Sequence, residues 1–416
     1  MPTHEALITN DASVLGLLAV LLGFVFYTSH SQHPFWKGFY KYVPALLLCY
    51  FLPSIFNSMG VINGEESKLY YVASRYLLPA CLVLLTLSVD LKAILGLGPK
   101  ALIMFLTGTV GIVLGGPIAI GVMSFLYPEA VGGEGVDAVW RGMTTVAGSW
   151  IGGGANQTAM KEIYEVGDGI FSVMVTVDVI VANVWMAVLL FMASKAKEID
   201  ARTGANTQAI VDLREKVEAY QAEHARIPHL NDIMLICAVA FGVTGLSHLF
   251  ADIVTPWMVA NVPGGAQYSL HSKFFWMIVS ATTMGISLSF TKVRRLEAVG
   301  STKIASAFLY ILVATIGMKM DVLAILETPV YFVIGGIWMA FHAALMLVVA
   351  KAIKAPLFYM AVGSQANVGG AASAPVVASA FHPALAPVGV LLAVLGYALG
   401  TYMAWLCGQL MQMVSP

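Results

Sequence analysis

Apolar residues in this chain run in long unbroken stretches; they neither alternate nor keep to one helical face. The run "ALIMFLTGTVGIVLGGPIAIGVMSFLY" at 101–127 exceeds the ~20 residues that cross a bilayer as helix. Continuous runs of this kind exclude a transmembrane β-barrel, whose strands alternate. Twelve segments are legible, near 12–28, 42–58, 70–88, 101–127, 138–164, 169–193, 230–250, 273–290, 302–319, 329–350, 355–381 and 384–413. The pattern predicts an all-α polytopic membrane protein. No basic start or small-residue cleavage site precedes the first run, so it is expected to be retained. The one strongly polar stretch, 194–229, holds six basic and six acidic residues. Within it Ile210, Leu213, Val217 and Tyr220 recur at helical spacing, which predicts a short amphipathic helix. The chain thus divides into membrane halves at 1–193 and 230–416, joined by a cytoplasmic connector.

Composition agrees. Of 416 residues, 59% are hydrophobic and 11% charged, against roughly 25% charged in soluble domains. A net charge of −1 without a basic patch gives no reason to expect a nucleic-acid partner. Cys49, Cys81, Cys237 and Cys407 lie inside apolar segments without paired spacing, which points to packing rather than redox or metal chemistry.

The two halves echo each other. "LSVDLKAIL" (87–95) is answered by "MKMDVLAIL" (318–326), with Asp90 matching Asp321 and a proline following each, at Pro99 and Pro329. "GSWIGGGAN" (148–156) is answered by "GSQANVGGAASA" (363–374), two segments after the Asp motif in both halves. Two matches in one order predict a duplication.

The glycines interrupt segments whose separate pieces are too short to span. Glycine disfavours a helix interior by about 1 kcal/mol against alanine, so three in succession predict unwinding. Unwound backbone at membrane depth is tolerated only where it is buried in protein or lines a water-filled cavity. Paired interruptions at corresponding positions of two halves mark a transporter's binding site. If the pieces are re-entrant, each half crosses five times and the halves point oppositely. The positive-inside rule places the connector in the cytoplasm for re-entrant and crossing pieces alike.

"GSWIGGGANQTAM", "VDVIVANVW" (177–185) and "GSQANVGGAASAPVVA" together resemble the YjcL-like family of bacterial membrane proteins, DUF819, along nearly the whole chain. The family resembles sodium/glutamate symporters and other inverted-repeat secondary transporters. The resemblance implies two inverted repeats divided between a scaffold and a mobile, elevator-type core, cation coupling, a homodimer, and a place in the bacterial inner membrane. It names no substrate, because fold does not fix function.

Asp178 is the sharpest candidate, an acid near the middle of the sixth segment, where an ionisable group marks a functional site by default. As an oxygen ligand it suits sodium, and it can instead carry a proton; otherwise it holds unwound backbone in place. Gly153, Gly154, Asn156 and Asn183 complete the expected ion-coupling set. The twelfth segment has Tyr397 and Thr401 in place of an acid. Ser149, Gln157 and Thr158 in the first break, and Ser364, Gln365, Asn367, Gly369, Gly370 and Ser373 in the second, are the expected substrate contacts. Amides both donate and accept, which suits a polar or zwitterionic solute; the competing reading is self-capping of broken helix ends. Asp90 and Asp321 read as helix caps, and His248 and His342 as helix-packing residues.

No metal-ligand spacing, P-loop or nucleophile elbow is present, so an enzyme is not expected, and no cofactor beyond a coupling sodium ion or proton. The partners expected are a small-molecule substrate and membrane lipid. The leading reading is a secondary transporter of a small, polar, amino-acid-like or carboxylate-bearing solute. The alternatives are a cation/proton antiporter without organic substrate, or a membrane receptor that kept a carrier fold.

Overall fold

A computed structural model describes the chain except residues 1–5, 41, 42, 44, 65, 206, 207, 209, 211–228, 320–328, 383 and 384. Each of the twelve apolar segments carries helix. The helices are α1 (Asp11–Ser29), α2 (Ala45–Ser58), α3 (Leu69–Leu87), α4 (Pro99–Leu126), α5 (Val139–Ile163), α6 (Asp168–Ser194), α7 (Leu230–Asn261), α8 (Lys273–Ser289), α9 (Ser301–Gly317), α10 (Val330–Ala352), α11 (Leu357–Val368) and α12 (Gly370–Phe381), which share the eleventh segment, and α13 (Ala386–Val414). Among the described residues seven helices are long and apolar enough to cross a membrane, namely α1, α3, α4, α6, α7, α10 and α13. An eighth span arises if α8 is joined to the helix Lys292–Val299, which bends from it by 94°. No strand occurs among the described residues, only an isolated bridge between Ile8 and Ile62. The chain is an all-α polytopic membrane protein.

Local chemistry sets several element boundaries. Asn10 caps α1 by accepting from the Ala12 and Ser13 amides. Asp90 caps the short helix Leu91–Gly96 through the Ala93 amide and pairs with Arg294 at 2.7 Å, as a cap reading requires; its counterpart Asp321 lies outside the described residues. In α3, Pro79 has no N–H, which leaves the Arg75 carbonyl without its helical donor. His248 of α7 takes that carbonyl at 2.9 Å, beside a π-helical turn at Ala73–Leu77. A helix deformed by proline in an apolar medium thus recovers its bond from a neighbour.

Two helix groups emerge from the packing. In one, α3 is surrounded by α7, α8 and α9, with α1 and α2 against α9; every residue of Leu78–Leu87 is buried. The other joins α4, α5, α6 and α10–α13. They meet where α5 and α13 lie on α3 and α8. Polar bonds cross this seam: Tyr50 to Gln157 at 3.4 Å, Thr282 with Thr401 at 3.2 Å, Thr283 with Tyr402 at 2.7 Å and Arg75 to Glu162 at 2.7 Å.

Of the connector, Ala196–Thr203 is helical. The amphipathic helix expected around Leu213, Val217 and Tyr220 lies outside the described residues; Ile210 packs on the core.

Candidate functional site at two hairpin tips

The segment α5 doubles back on itself. Gly153 has φ 71° and ψ −176°, a conformation open essentially to glycine alone. The arm before it returns against the arm after it: a Cβ on Gly148 would stand 2.6 Å from the Asn156 carbonyl oxygen. At the mouth, the Arg141 guanidinium donates to the Tyr164 carbonyl, and the Trp140 and Tyr164 rings meet edge-on at 5.7 Å. A straight helix would separate residues 141 and 164 by about 35 Å. The segment is therefore a helical hairpin.

The second interruption behaves alike. The helices α11 and α12 break at Gly369 and Gly370, the latter at φ 57°. Gln365 on one arm donates to Ser373 Oγ on the other at 2.7 Å, and at the mouth the rings of Phe358 and Phe381 lie 5.4 Å apart.

The mouths open at opposite ends of the bundle. Asp168, which begins α6, pairs at 2.7 Å with Lys161 beside the first mouth. Beyond the far end of α6, Asp200 accepts the Leu357 amide at 2.8 Å, and Leu357 opens the second hairpin. The tips meet in between, where a Cβ on Gly370 would lie 4.0 Å from Gly153 Cα. Helix α13 backs both. A Cβ on its Gly396 would stand 2.6 Å from the Ile151 carbonyl oxygen and 3.5 Å from that of Ala366. Leu309 of α9, in the other helix group, approaches Gly154. Gly153, Gly154, Gly369 and Ser373 are partly exposed, while Gly370 and residues 155–161 and 357–368 are buried.

Asp178 fastens the first hairpin. Its carboxylate accepts the Trp150 indole N–H at 2.7 Å and the Gln157 amide at 2.9 Å. Trp150 precedes the break and Gln157 follows it, so one side chain ties both arms; Ser149 beside them is partly exposed. Both partners are neutral donors, and Asp178 is 6% exposed. Hydrogen bonds to a buried carboxylate are worth most where water is excluded.

The other polar residues divide by what they bind. Asn156 donates to the Gly152 carbonyl at 2.9 Å and accepts from Thr401 at 2.7 Å, while Thr158 donates to the Gly154 carbonyl at 3.0 Å. The first of these bonds caps a carbonyl that the break frees; the Thr158 bond runs back four residues within its own arm. Ser364 accepts from Trp185 at 2.8 Å and donates to His342 Nε2 at 2.7 Å, whose Nδ1 then donates to the Gly108 carbonyl at 3.1 Å. Asn367 donates to the Phe105 and Gly363 carbonyls and accepts from Thr109 at 2.8 Å. Ser364 and Asn367 are thus committed to α4, α6 and α10. Asn183 bonds back to Val179 on its own helix at 2.7 Å and does not join Asp178.

Sequence reading did not single out Trp150, Tyr50 or Trp185. Trp150 stands inside the glycine motif, and an indole donor two residues from three glycines was a usable signal; Tyr50 and Trp185 come from distant segments and carry none. Among the described residues no group of three or more His, Cys, Asp or Glu side chains could hold a metal ion.

Comparison with known proteins places this architecture. A family model described as "Protein of unknown function (DUF819)" matches residues 16–414. The uncharacterized membrane protein YjcL of Bacillus subtilis (strain 168) is 25% identical over 371 residues, covering 85% of this chain and 86% of YjcL.

Proposed function

The chain belongs to the DUF819 family, and for it we propose secondary active transport: carriage of a small polar organic solute, coupled to sodium or protons, by elevator-like movement of the hairpin-bearing helix group along the other. The observation that carries this reading is the meeting of two hairpin tips at the seam between the groups. Unwound backbone at membrane depth is expensive unless it lines a path or is buried in protein, and here the partly exposed Gly153 meets the buried Gly370. Half-helix N-termini at the tips carry partial positive charge. They suit the carboxylate end of an amino-acid-like solute. Asp178 supplies an acidic side chain bonded to both arms of the first hairpin, and sodium or a proton would be taken by it or by the tip carbonyls.

Uptake into proteoliposomes tests the proposal. Accumulation of a solute under an imposed sodium or pH gradient, and its loss when the gradient is collapsed, is the expected outcome. Solute that merely equilibrates, or never enters under either gradient, contradicts it.

A further inference from the structure

At the first tip Asp178, Asn156, Gln157 and Thr158 are each hydrogen-bonded. Gln365 at the second tip differs. Its Nε2 donates to Ser373 Oγ, but its Oε1 has no hydrogen-bond partner among the described residues, although the residue is 1% exposed. Turning the amide over does not remove the problem. The Ser373 hydroxyl can donate as well as accept, so either orientation leaves one amide atom unused. A buried polar atom without a partner is a standing penalty that a ligand group of complementary character relieves.

The position of this amide gives the ligand its chemistry. It lies across the first turn of α12: a Cβ on Gly369 would collide with both Gln365 Nε2 and Ser373 Oγ. Helix α12 has 12 residues, starts at Gly370 and follows Gly369, so the backbone amides of its first turn suit an anion. Neither tip segment, 148–158 or 364–373, contains Lys or Arg, so no cationic side chain of the tips would join those amides. That suits one carboxylate rather than two.

We propose that Gln365 is the specificity-determining residue of this site, reading an N–H or O–H donor on a small monocarboxylate whose carboxylate rests on the first turn of α12. The inference rests on the transporter reading and narrows its substrate to amino or hydroxy acids.

Thermal-shift titration of the detergent-purified full chain tests it with four size-matched probes: alanine, lactate, propionate and alaninamide. Alanine or lactate should bind about tenfold more tightly than propionate, the range expected for one neutral hydrogen bond at a buried acceptor, and alaninamide should not bind. In Gln365→Leu the advantage over propionate should shrink to about twofold or less, with propionate unchanged. Gln365→Met, of similar length, repeats the test should the leucine variant not fold. Equal binding of propionate, a preference that survives both variants, binding of alaninamide, or no binding of any probe overturns the assignment. Uptake measured in parallel separates the two readings. Accumulation without dependence on Gln365 removes this inference and leaves the carrier; a Gln365-dependent preference without accumulation leaves the site and removes the carrier.

Discussion

Asp178 ties together two arms that the chain folds apart at Gly153, using Trp150 on one side and Gln157 on the other. The indole can only donate, so Oδ1 acts as an acceptor whatever ion the site handles. Asp178→Asn preserves an oxygen for Trp150, and the Gln157 amide can turn to accept from the new NH₂. Asp178→Ala strands two buried donors, each worth about 1–3 kcal/mol when left unpaired. The alanine variant should therefore unfold at a clearly lower temperature than the asparagine variant, which should stay close to wild type while losing ion-coupled uptake. Equal destabilisation by both, followed by tryptophan fluorescence or thermal scanning, would remove the clamp. In the sequence Asp178 stood out as a lone acid in an apolar segment. That its partners are the indole and amide of the glycine segment was not legible, because the register between α5 and α6 depends on how both pack. Likewise Ser364 and Asn367 looked equivalent to Gln365 along the chain. They differ only because α4, α6 and α10 supply the first two with partners.

At the scale of elements, the hairpins depend on glycine for closeness as much as for backbone freedom. Gly148 faces the returning arm with no room for a methyl group. Gly148→Ala should cost about 1–3 kcal/mol, the usual penalty of overpacking, read as a lowered unfolding midpoint; Gly121→Ala, on α4 with open space around its Cβ position, is the control that should change little. The second hairpin has a device of its own in Asp200, whose carboxylate caps α11 from outside the spanning helices. Burial pushes Asp200 above the ordinary carboxylate value, partly offset by the Leu357 amide. A carboxyl raised in the fold favours the folded state below its unfolded value and loses that contribution as pH rises through the folded one. The stability of Asp200→Asn relative to wild type should thus increase as pH rises from about 4, while the cap is kept. A difference that is flat or falls with pH contradicts this. The interruptions were legible because neither piece is long enough to span, but whether the pieces double back or cross was not. The α11 cap was not, since it comes from the connector more than 150 residues away.

For the whole molecule, hydropathy was enough to place the long apolar helices, because lipid imposes its length and polarity on each segment separately. The division into two packed groups was not in that signal. It follows from which apolar faces meet, and hydropathy is alike on lipid-facing and helix-facing sides. The seam between the groups is joined by polar bonds and, at the first mouth, by ions: Arg75 and Tyr70 hold Glu162, and Lys161 and Lys319 flank Asp168. The account turns on two hairpins that enter from opposite faces of the membrane and touch at their tips. Labelling of single cysteines with a membrane-impermeant maleimide, in a chain whose own four cysteines are replaced, tests this most directly. Val136→Cys and Glu165→Cys flank the first hairpin, and Ala380→Cys and Lys354→Cys flank the second; all four positions are exposed. Both members of the first pair should label from one face and both members of the second from the other, whereas labelling of either pair from opposite faces would mean a helix that crosses the membrane, and no facing tips.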